Sequence, residues 1–456
     1  MINMDMGLLE NSAFVFGSKP TQQIFRSFDG GIACSSASVR PEMHKSFMEP
    51  FAFQGNLIAC GQGLSYAAAS FGRSSISVDM RSFDRVIDYD TDTTDVVVEA
   101  GIRLIDLFQF LLKRRRYLVI QPGHGQISVG GCIAANVHGK NPAKDGTFYD
   151  QVQELTLFHP VHGQVHLSRT SLPDIFEATC GGFGLTGIIL SARLKTQALP
   201  GNTMALESIA VDQPEAGAGL MRQASAASAI VYSWHDLMSP SGRGMVITGQ
   251  FSDDFLEVPL PATPTHALSA HWRARLPFSL QARSTARLAN LLYYRMNRQR
   301  LQEVPLWKAL FPTQGMEVYF RLFGDAGFHE YQVIISDQNF AEYVQRLRDA
   351  ARRKMIPICL ASGKAFGGHQ KYLRFAGPGV CFAINVPRSQ ASLALLADLD
   401  QITLTLGGRT NIIKDSRLGQ SAVEASYPDY GEFRRKLREW DPARLFRSEL
   451  SDRLDL

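Results

Sequence analysis

A glycine-rich stretch at residues 123–140 constrains this chain more than any other feature. It reads GHGQISVGGCIAANVHGK and sets five glycines and two alanines among two histidines and a lysine. Glycine has no Cβ and tolerates positive φ, so backbone amides in such a stretch can approach phosphate or ring atoms closely. The stretch predicts a ligand cradle, whereas a pair of tight turns in a glycine-rich loop is the alternative.

Two further glycine turns accompany this cradle, at residues 61–68 and 179–187. The second contains a Gly-x-Gly-x-x-Gly run, which is the spacing of a dinucleotide-binding fingerprint. That fingerprint follows a strand and opens a helix. Here a predicted helix at residues 171–179 precedes the run and a predicted strand, Ile188–Leu194, follows it. The order argues against an NAD-binding Rossmann domain.

The composition narrows the class of protein. The 456 residues are 45% hydrophobic, enough for more than one core, and a net charge of +4 gives little support to nucleic-acid binding. The six cysteines form no C-x-x-C motif, so we predict no metal site, no disulfide framework and a reducing compartment. The N-terminus lacks a signal-peptide pattern, and no stretch approaches the ~20 apolar residues of a transmembrane helix. We therefore predict a cytoplasmic protein, with peripheral contact at the inner membrane face as the alternative.

Predicted elements divide the chain into three parts. Residues 1–197 alternate short strands with helices, residues 198–404 form a β-rich module with helices, and residues 405–456 form a C-terminal segment. The predicted strands of the module are Ile230–Trp234, Met245–Phe251, Val318–Phe323, Tyr331–Ile335 and Val380–Val386, and its predicted helices are Asn339–Lys354 and Ser389–Leu399. Residues 282–309 interleave arginines with leucines and tyrosines, which predicts an interfacial helix or an ordinary surface helix with solvated charges.

Several blocks of sequence resemble the vanillyl-alcohol oxidase superfamily of flavoproteins, and within it the oxidases of polyprenyl-phosphoryl ribose. The blocks are residues 129–141, 181–189, 232–234, 407–417 and 441–450, so the resemblance covers nearly the whole chain. It implies an α+β fold in which a two-part FAD-binding domain, residues 1–197 with 405–456, carries an inserted β-rich α+β substrate domain, residues 198–404. It also implies a mobile lid at about 282–309 near the substrate entrance.

The resemblance implies an FAD-dependent oxidoreductase acting on CH–OH groups. Its reaction would oxidise a secondary hydroxyl on a polyprenyl-phosphoryl pentose to a keto sugar, by hydride transfer to flavin N5. This is the first half of an epimerisation in cell-wall or polysaccharide biosynthesis, which a partner ketoreductase completes. Two alternatives remain open: a flavin oxidase of free sugars, polyols or aldonolactones, and a non-catalytic flavin-binding subunit.

The resemblance also assigns the reacting residues. Lys414 and His138 match catalytic positions, and a buried lysine with a lowered pKa can take the proton of an alcohol. An ion pair with Asp415 is the alternative for Lys414. The residues that match substrate-binding positions are Lys140, Gln332, Lys364, Cys381, Trp234 and Asn411. A solvated surface position is the alternative for Lys364, and an ordinary core position is the alternative for Trp234 and Cys381.

The chain departs from the resembled pattern on the substrate side. Asn411 stands where a tyrosine is expected, and Glu330 stands where a glutamine is expected. Residues 141–144 read Asn-Pro-Ala-Lys in place of an Asn-His-His run. These departures leave the flavin prediction intact and leave the substrate open between a lipid-linked and a free sugar.

The three glycine turns are the predicted FAD site. The predicted cofactor-binding residues are Gly61, Gln62, Gly63, Leu64, Ser65, Tyr66, Pro122, Gly123, Gly125, Ser128, Gly130, Gly131, Ile133, Ala134, Asn136, His138, Gly139, Gly182, Gly184, Gly187 and Ile188. The turn at 61–68 holds no histidine or cysteine that could bond to the flavin, so we predict non-covalent FAD. Its pyrophosphate is expected on the backbone of residues 61–64 and 130–134.

Overall fold

The computed structural model describes residues 16–42, 44–48, 50–259 and 276–456. Residues 1–15 of the predicted FAD-binding domain and residues 260–275 of the predicted substrate domain lie outside this description. The strands are β1 (Thr21–Arg26), β2 (Ala33–Val39), β3 (Asn56–Cys60), β4 (Ser75–Asp79), β5 (Val86–Tyr89), β6 (Val96–Glu99), β7 (Arg116–Tyr117), β8 (Val152–His159), β9 (Gly163–Ser168), β10 (Ile188–Leu194), β11 (Gln197–Ala198), β12 (Thr203–Val211), β13 (Ile230–His235), β14 (Gly244–Phe251), β15 (Leu301–Pro305), β16 (Phe328–Ile335), β17 (Leu360–Phe366), β18 (Gly379–Pro387) and β19 (Arg409–Thr410).

The helices lie between these strands and at the C-terminal end of the chain. They are α1 (Leu104–Leu112), α2 (Val129–Ala134), α3 (Pro142–Asp145), α4 (Pro173–Thr179), α5 (Pro214–Ala224), α6 (Arg283–Asn297), α7 (Leu306–Leu310), α8 (Glu317–Arg321), α9 (Asp337–Arg353), α10 (Gln390–Thr405), α11 (Gln420–Ser426), α12 (Tyr430–Trp440) and α13 (Glu449–Leu454). No helix within the described ranges is long and apolar enough to cross a membrane.

Two sheets form the N-terminal part of the molecule. The first has the order β1-β2-β4-β3, with β4 parallel to both of its neighbours. The second has the order β5-β6-β10-β8-β9 and is antiparallel throughout. The apolar face of α1 packs on the second sheet, where Leu104 and Leu107 share a core with Val96 and Val98. The glycine turn at 61–68 follows β3, and the turn at 179–187 precedes β10.

The C-terminal residues pack back onto the N-terminal part. The Leu57 amide donates to the Leu445 carbonyl at 2.7 Å, and the Arg447 amide donates to the Leu57 carbonyl at 3.0 Å. Residues 445–447 therefore extend the edge of β3. Further along, Phe433 is buried in one core with Ile58.

The third sheet has eight strands in the order β15-β12-β14-β13-β17-β18-β16-β19, and all of its pairings are antiparallel. Helices α5, α9 and α10 cover one face, where Val333, Phe382 and Ile384 meet Val344 and Leu395. Because side chains alternate between the two faces of a strand, the residues between these apolar positions point to the opposite face. That opposite face carries the polar residues of the candidate site.

Two predicted elements of residues 198–404 need correction. The predicted strand Val318–Phe323 lies mostly in helix α8, because Phe320 and Phe323, three positions apart, are buried on one side at 8% and 0% exposure. The predicted helix at 282–309 ends at Asn297, and the following residues form β15, which pairs with β12. In both segments, tertiary pairing overrides the local pattern.

The predicted boundary at residue 404 does not coincide with the edge of the third sheet. Strand β19 follows that boundary, yet it pairs with β16 through Val333 with Thr410 and Ile334 with Arg409. The C-terminal segment thus contributes an edge strand to this sheet before it returns to β3. The mixture of antiparallel sheets and packed helices is an α+β fold, as the sequence predicts.

Candidate active site

A cleft with about 1080 Å³ of space, open solvent at its mouth included, runs between the glycine turns. The three turns, far apart in sequence, meet on its walls. The predicted cofactor-binding residues on these walls are Gly61, Gln62, Gly63, Leu64, Ser65, Tyr66, Ser128, Gly130, Gly131, Ala134, Gly184 and Gly187.

Bare backbone forms much of the cleft wall. A Cβ on Gly61 would lie 2.3 Å from the Ser128 Oγ, and a Cβ on Gly130 would lie 3.0 Å from the Ala100 Cβ. Gly184 has a φ of 81°, which few other residues adopt. The cleft is therefore lined both by exposed backbone and by apolar side chains. These walls suit a ligand that combines a pyrophosphate, held by backbone amides, with flat rings.

The other predicted cofactor-binding residues are not part of the lining of this cleft, so their contact with the cofactor stays a prediction. They are Pro122, Gly123, Gly125, Ile133, Asn136, His138, Gly139, Gly182 and Ile188. Ile133 and Ile188 point into hydrophobic cores. A Cβ on Gly182 would lie 1.9 Å from the Ala178 carbonyl oxygen, so glycine is required there for packing.

Several cleft residues were missed by the sequence analysis. They are Ala59, Cys60, Ala69, Ser70, Met80, Ala100, Ile127, Ala135, Val137, Phe183, Ile189 and Ile413. These side chains are small or apolar and carry no chemical motif. Only their place in the chain could have indicated a role at the cleft. Cys60 is the last residue of β3 and Ala100 directly follows β6, so each stands where a strand meets a turn.

Lys414 lines the cleft and is held by two neighbours. Its Nζ lies 3.3 Å from the Glu330 Oε1 and 4.0 Å from the centre of the Tyr66 ring. Asp415 instead pairs with Arg417 at 2.9 Å, so the alternative of a Lys414–Asp415 ion pair is wrong. Burial, followed by the charge of Glu330, raises the pKa of Tyr66 and keeps its hydroxyl protonated.

His138 and Lys364 form a second polar pair on the opposite face of the eight-stranded sheet. The Lys364 Nζ lies 3.1 Å from the His138 Nδ1 and donates to the Gly139 carbonyl at 2.9 Å. Burial lowers the pKa of Lys364 to about 8. Burial and the neighbouring Lys364 charge hold the pKa of His138 well below its ordinary value. Lys364 is therefore partly buried and hydrogen-bonded, so the alternative of a solvated surface position is wrong.

Gln332 and Asn411 link the two pairs. The Gln332 Nε2 lies 3.5 Å from the His138 Nε2, and the Gln332 Oε1 accepts a hydrogen bond from the Asn411 Nδ2 at 2.5 Å. The Asn411 carbonyl in turn accepts the Lys414 amide at 3.1 Å. Asn411 is 5% exposed. Its side chain therefore anchors the turn that carries Lys414.

Trp234 and Cys381 occupy apolar surroundings beside these polar residues. Trp234 is 6% exposed, shares a cluster with Met245 and meets the Tyr293 ring at 4.8 Å. Cys381 is 1% exposed and packs with Phe366, while burial raises its pKa to about 12. Cys381 is also the strand partner of Lys364. An ordinary core position, the alternative given for Trp234 and Cys381, therefore describes how both side chains pack.

Strand register explains why these residues meet. Lys364 pairs with Cys381, Gln332 pairs with Ala383, and Glu330 pairs with Asn385, so all six share one face. Two residues of this neighbourhood were missed by the sequence analysis. Asn385 lies 3.3 Å from the Glu330 Oε2, and the Tyr319 hydroxyl donates to the Asn385 Oδ1 at 3.3 Å. The sequence could have indicated Asn385, because side chains alternate between the two faces of a strand and Asn385 lies an even number of positions from Cys381 on β18.

Residues 52–168 match the family model described as an FAD binding domain. With the glycine-lined cleft and the similarities below, this match identifies the chain as an FAD-dependent oxidoreductase acting on CH–OH groups. Over 414 residues the chain is 28% identical to the decaprenylphosphoryl-β-D-ribose oxidase of Mycolicibacterium smegmatis. That alignment covers 88% of this chain and 89% of that protein. The prediction of FAD as cofactor is confirmed.

Shorter similarities join the chain to enzymes of lactones. It is 28% identical over 155 residues to L-galactono-1,4-lactone dehydrogenase 2 of Oryza sativa, covering 34% of this chain and 26% of that protein. It is 32% identical over 118 residues to L-gulonolactone oxidase of Mus musculus, covering 26% and 27%. These similarities span only part of the chain.

Proposed function

We propose that this protein oxidises a secondary hydroxyl of a polyprenyl-phosphoryl pentose to a keto sugar, as the first half of an epimerisation completed by a partner ketoreductase. The observation that carries the proposal is the convergence of Lys414, His138 and Lys364 beside the glycine-lined cleft. Similarity to a ribose oxidase along most of the chain supports this substrate class. Residues 198–404 act as the substrate domain, and residues 1–197 with 405–456 hold the cofactor.

The protein's own residues orient the hydroxyl and remove its proton. FAD, when bound in the cleft, supplies the hydride-accepting chemistry for the alcohol carbon. Lys414, held between Glu330 and the Tyr66 ring, is free to donate one N–H to the sugar oxygen. His138 has a lowered pKa, so its imidazole is neutral at pH 7 and can accept a proton.

The FAD is held without a covalent bond in this proposal. Cys60, a thiol on the cleft wall, is 7% exposed, and burial together with Asp79 raises its pKa to about 11. A neutral thiol is a weak nucleophile, so Cys60 is not suited to attack the flavin. On a denaturing gel the flavin fluorescence should leave the polypeptide. Fluorescence that stays with the protein band contradicts this expectation.

Helix α6 supports a lipid-linked substrate and peripheral contact with a membrane. Leu288, Leu292 and Met296 form an apolar stripe at 57%, 49% and 74% exposure. Arg287 and Arg295 are exposed on the same helix, which contains no acidic residue. An apolar stripe beside arginines suits adsorption to anionic lipid. We expect the protein to sediment with anionic liposomes, and a Leu288→Ser, Met296→Ser double variant to stay in solution with its flavin bound.

Anaerobic reduction of the bound flavin tests the substrate class. Prenyl-phosphoryl ribose should bleach the flavin absorption of the purified holoprotein, while D-ribose and a polyol at the same concentration should not. Lys414→Ala should retain the flavin and lose the bleaching. An unchanged reduction rate in Lys414→Ala removes this residue from the mechanism.

Oxidation of free sugars, polyols or aldonolactones is the second candidate function. The similarities to enzymes of lactones favour it. Glu330 favours it as well, because its carboxylate stands beside Lys414 where the resembled pattern has a neutral glutamine. Bleaching by ribose, a polyol or a lactone would assign the protein to this class. A flavin that none of these compounds bleaches would indicate a non-catalytic subunit.

A further inference from the structure

Lys140 is a buried amine without a partner. Its side chain is 6% exposed, and no hydrogen bond or ion pair joins its Nζ to any other residue of the described chain. The amine lies beside Gly123, where a Cβ would be 3.8 Å from it. The turn at residues 122–126 contains no acidic residue. Lys140 therefore faces this turn without an anion to pair with.

Lys364 brings a second amine to the same region. It donates to the carbonyl of Gly139, the residue before Lys140. Burial, followed by the Lys364 charge, lowers the pKa of Lys140 well below its ordinary value. Of the other titratable groups on this face, His138 is neutral at pH 7, burial raises the pKa of Tyr232, and the Glu330 carboxylate is paired with Lys414. Nothing in this set offsets the charge of Lys140.

A buried amine of this kind gains most from an anion. Burial without a partner disfavours its charged form. An anionic oxygen placed beside Lys140 would favour protonation and accept a charge-assisted hydrogen bond. The same oxygen group could reach Lys364, which donates one N–H to the Gly139 carbonyl and has further N–H groups to offer.

We infer that Lys140 and Lys364 form a subsite for an anionic phosphoryl group, the linking phosphate of a glycosyl phosphate. The inference rests on the proposed function and names the part of the substrate that these two amines hold. A phosphoryl group has several oxygens, so it can contact two ammonium groups at once, and lysine binds it as a point charge.

The subsite also gives the substrate a direction. Glu330 pairs with Lys414 at one end of the site, whereas Lys140 and Lys364 make the other end positive once an anion has raised the pKa of Lys140. A glycosyl phosphate would therefore place its phosphoryl group at Lys140 and its sugar ring toward Lys414. A free sugar has no group for the positive end, so its binding would not depend on Lys140.

Dimethyl phosphate tests the subsite in the holoprotein. This monoanionic diester does not titrate near neutral pH, and binding is followed by the absorption of the bound flavin and by calorimetry at constant ionic strength. Lys140→Met removes the amine and keeps the length of the side chain, and Lys113→Met, at an exposed position, is the matched control. Trimethyl phosphate serves as the neutral ligand and acetate as the carboxylate.

Dimethyl phosphate should bind wild type and Lys113→Met alike, and Lys140→Met at least about tenfold more weakly. Calorimetry in buffers of different ionisation enthalpy should show proton uptake by wild type, because the anion raises the pKa of Lys140. Lys140→Met should also melt no lower than wild type, because it removes an unpaired buried amine.

Equal binding to wild type and Lys140→Met, or no saturable binding to wild type, overturns the subsite. Tighter binding of acetate overturns the phosphoryl assignment, and a lower melting temperature of Lys140→Met indicates a structural lysine. The proposed function fails separately, if prenyl-phosphoryl ribose does not bleach the flavin while dimethyl phosphate binds through Lys140. The subsite fails alone if the lipid-linked sugar bleaches the flavin with the same KM in Lys140→Met.

Discussion

The pair of Glu330 and Lys414 allows a quantitative test of the site. At the observed 3.3 Å, two unit charges attract by about 5 kcal/mol at an effective dielectric constant of about 20, which is an upper bound. The Lys414 side chain is 30% exposed and that of Glu330 is 12% exposed, so solvent screens part of this attraction. A coupling of about 1–2 kcal/mol remains, which corresponds to about 5- to 30-fold in rate.

Glu330→Gln, Lys414→Met and the double variant form the cycle that measures this coupling. If Glu330 acts only by positioning Lys414, Glu330→Gln should slow flavin reduction about 5- to 30-fold. Lys414→Met should slow it about 100-fold or more, and the double variant should be no slower than Lys414→Met. The assay is anaerobic stopped-flow reduction of the bound flavin over a range of substrate concentrations. A positioning role lowers the limiting rate constant with little change in the concentration for half-maximal rate.

A second ion pair provides the control. Lys354 and Asp398 lie 3.1 Å apart, at 28% and 41% exposure, on helices that cover the far face of the sheet. Asp398→Asn should leave flavin reduction unchanged. Equal slowing by Glu330→Gln in the wild-type and Lys414→Met backgrounds would refute the reasoning, because it would mean that Glu330 acts independently of Lys414.

Three further predictions concern stability and cofactor retention. The pKa of Lys364 is about 8 in the folded protein and 10.5 for an ordinary lysine, so between pH 8 and 10.5 the unfolded chain binds more protons than the folded one. The free energy of unfolding, measured by urea titration, should therefore rise with pH over this window, and it should rise less steeply in Lys364→Met. Trp234→Ala should lower the stability by about 3–5 kcal/mol, because Trp234 fills a core beside Met245, and an unchanged denaturation midpoint would mean that it only lines a cavity. Gly187→Ala should purify with less FAD, because Gly187 has a φ of 145° and its Cβ would lie 2.6 Å from the Phe158 carbonyl oxygen, whereas Gly431→Ala, with open space around it, should keep its FAD.

The cofactor site was predictable because its signals are local. Two of the three glycine turns stand next to strands whose apolar patterns are visible in the sequence. Strands β3 and β10 and helix α1 form where those patterns predict them. A high density of glycines indicates that the backbone approaches another group closely. It does not tell a turn that faces a ligand from one that packs inside the protein, so Gly182 and Ile188 were assigned to the cofactor although they lie in the packed interior.

The substrate side depended on tertiary structure. The sequence shows a lysine at 364, a histidine at 138 and a glutamate at 330, but Lys364 and His138 are 226 positions apart. Only the packing of the 138–139 segment against strand β17 brings these two side chains within hydrogen-bond distance. The sequence by itself determined the flavin-binding turns, the main helices and strands, and the lysines available for chemistry. Tertiary structure decided that Glu330, not Asp415, pairs with Lys414, and that the Lys140 amine has no partner among the described residues. The physical reason is register: side chains alternate with a period of two, so long-range strand pairing determines which charges share a face.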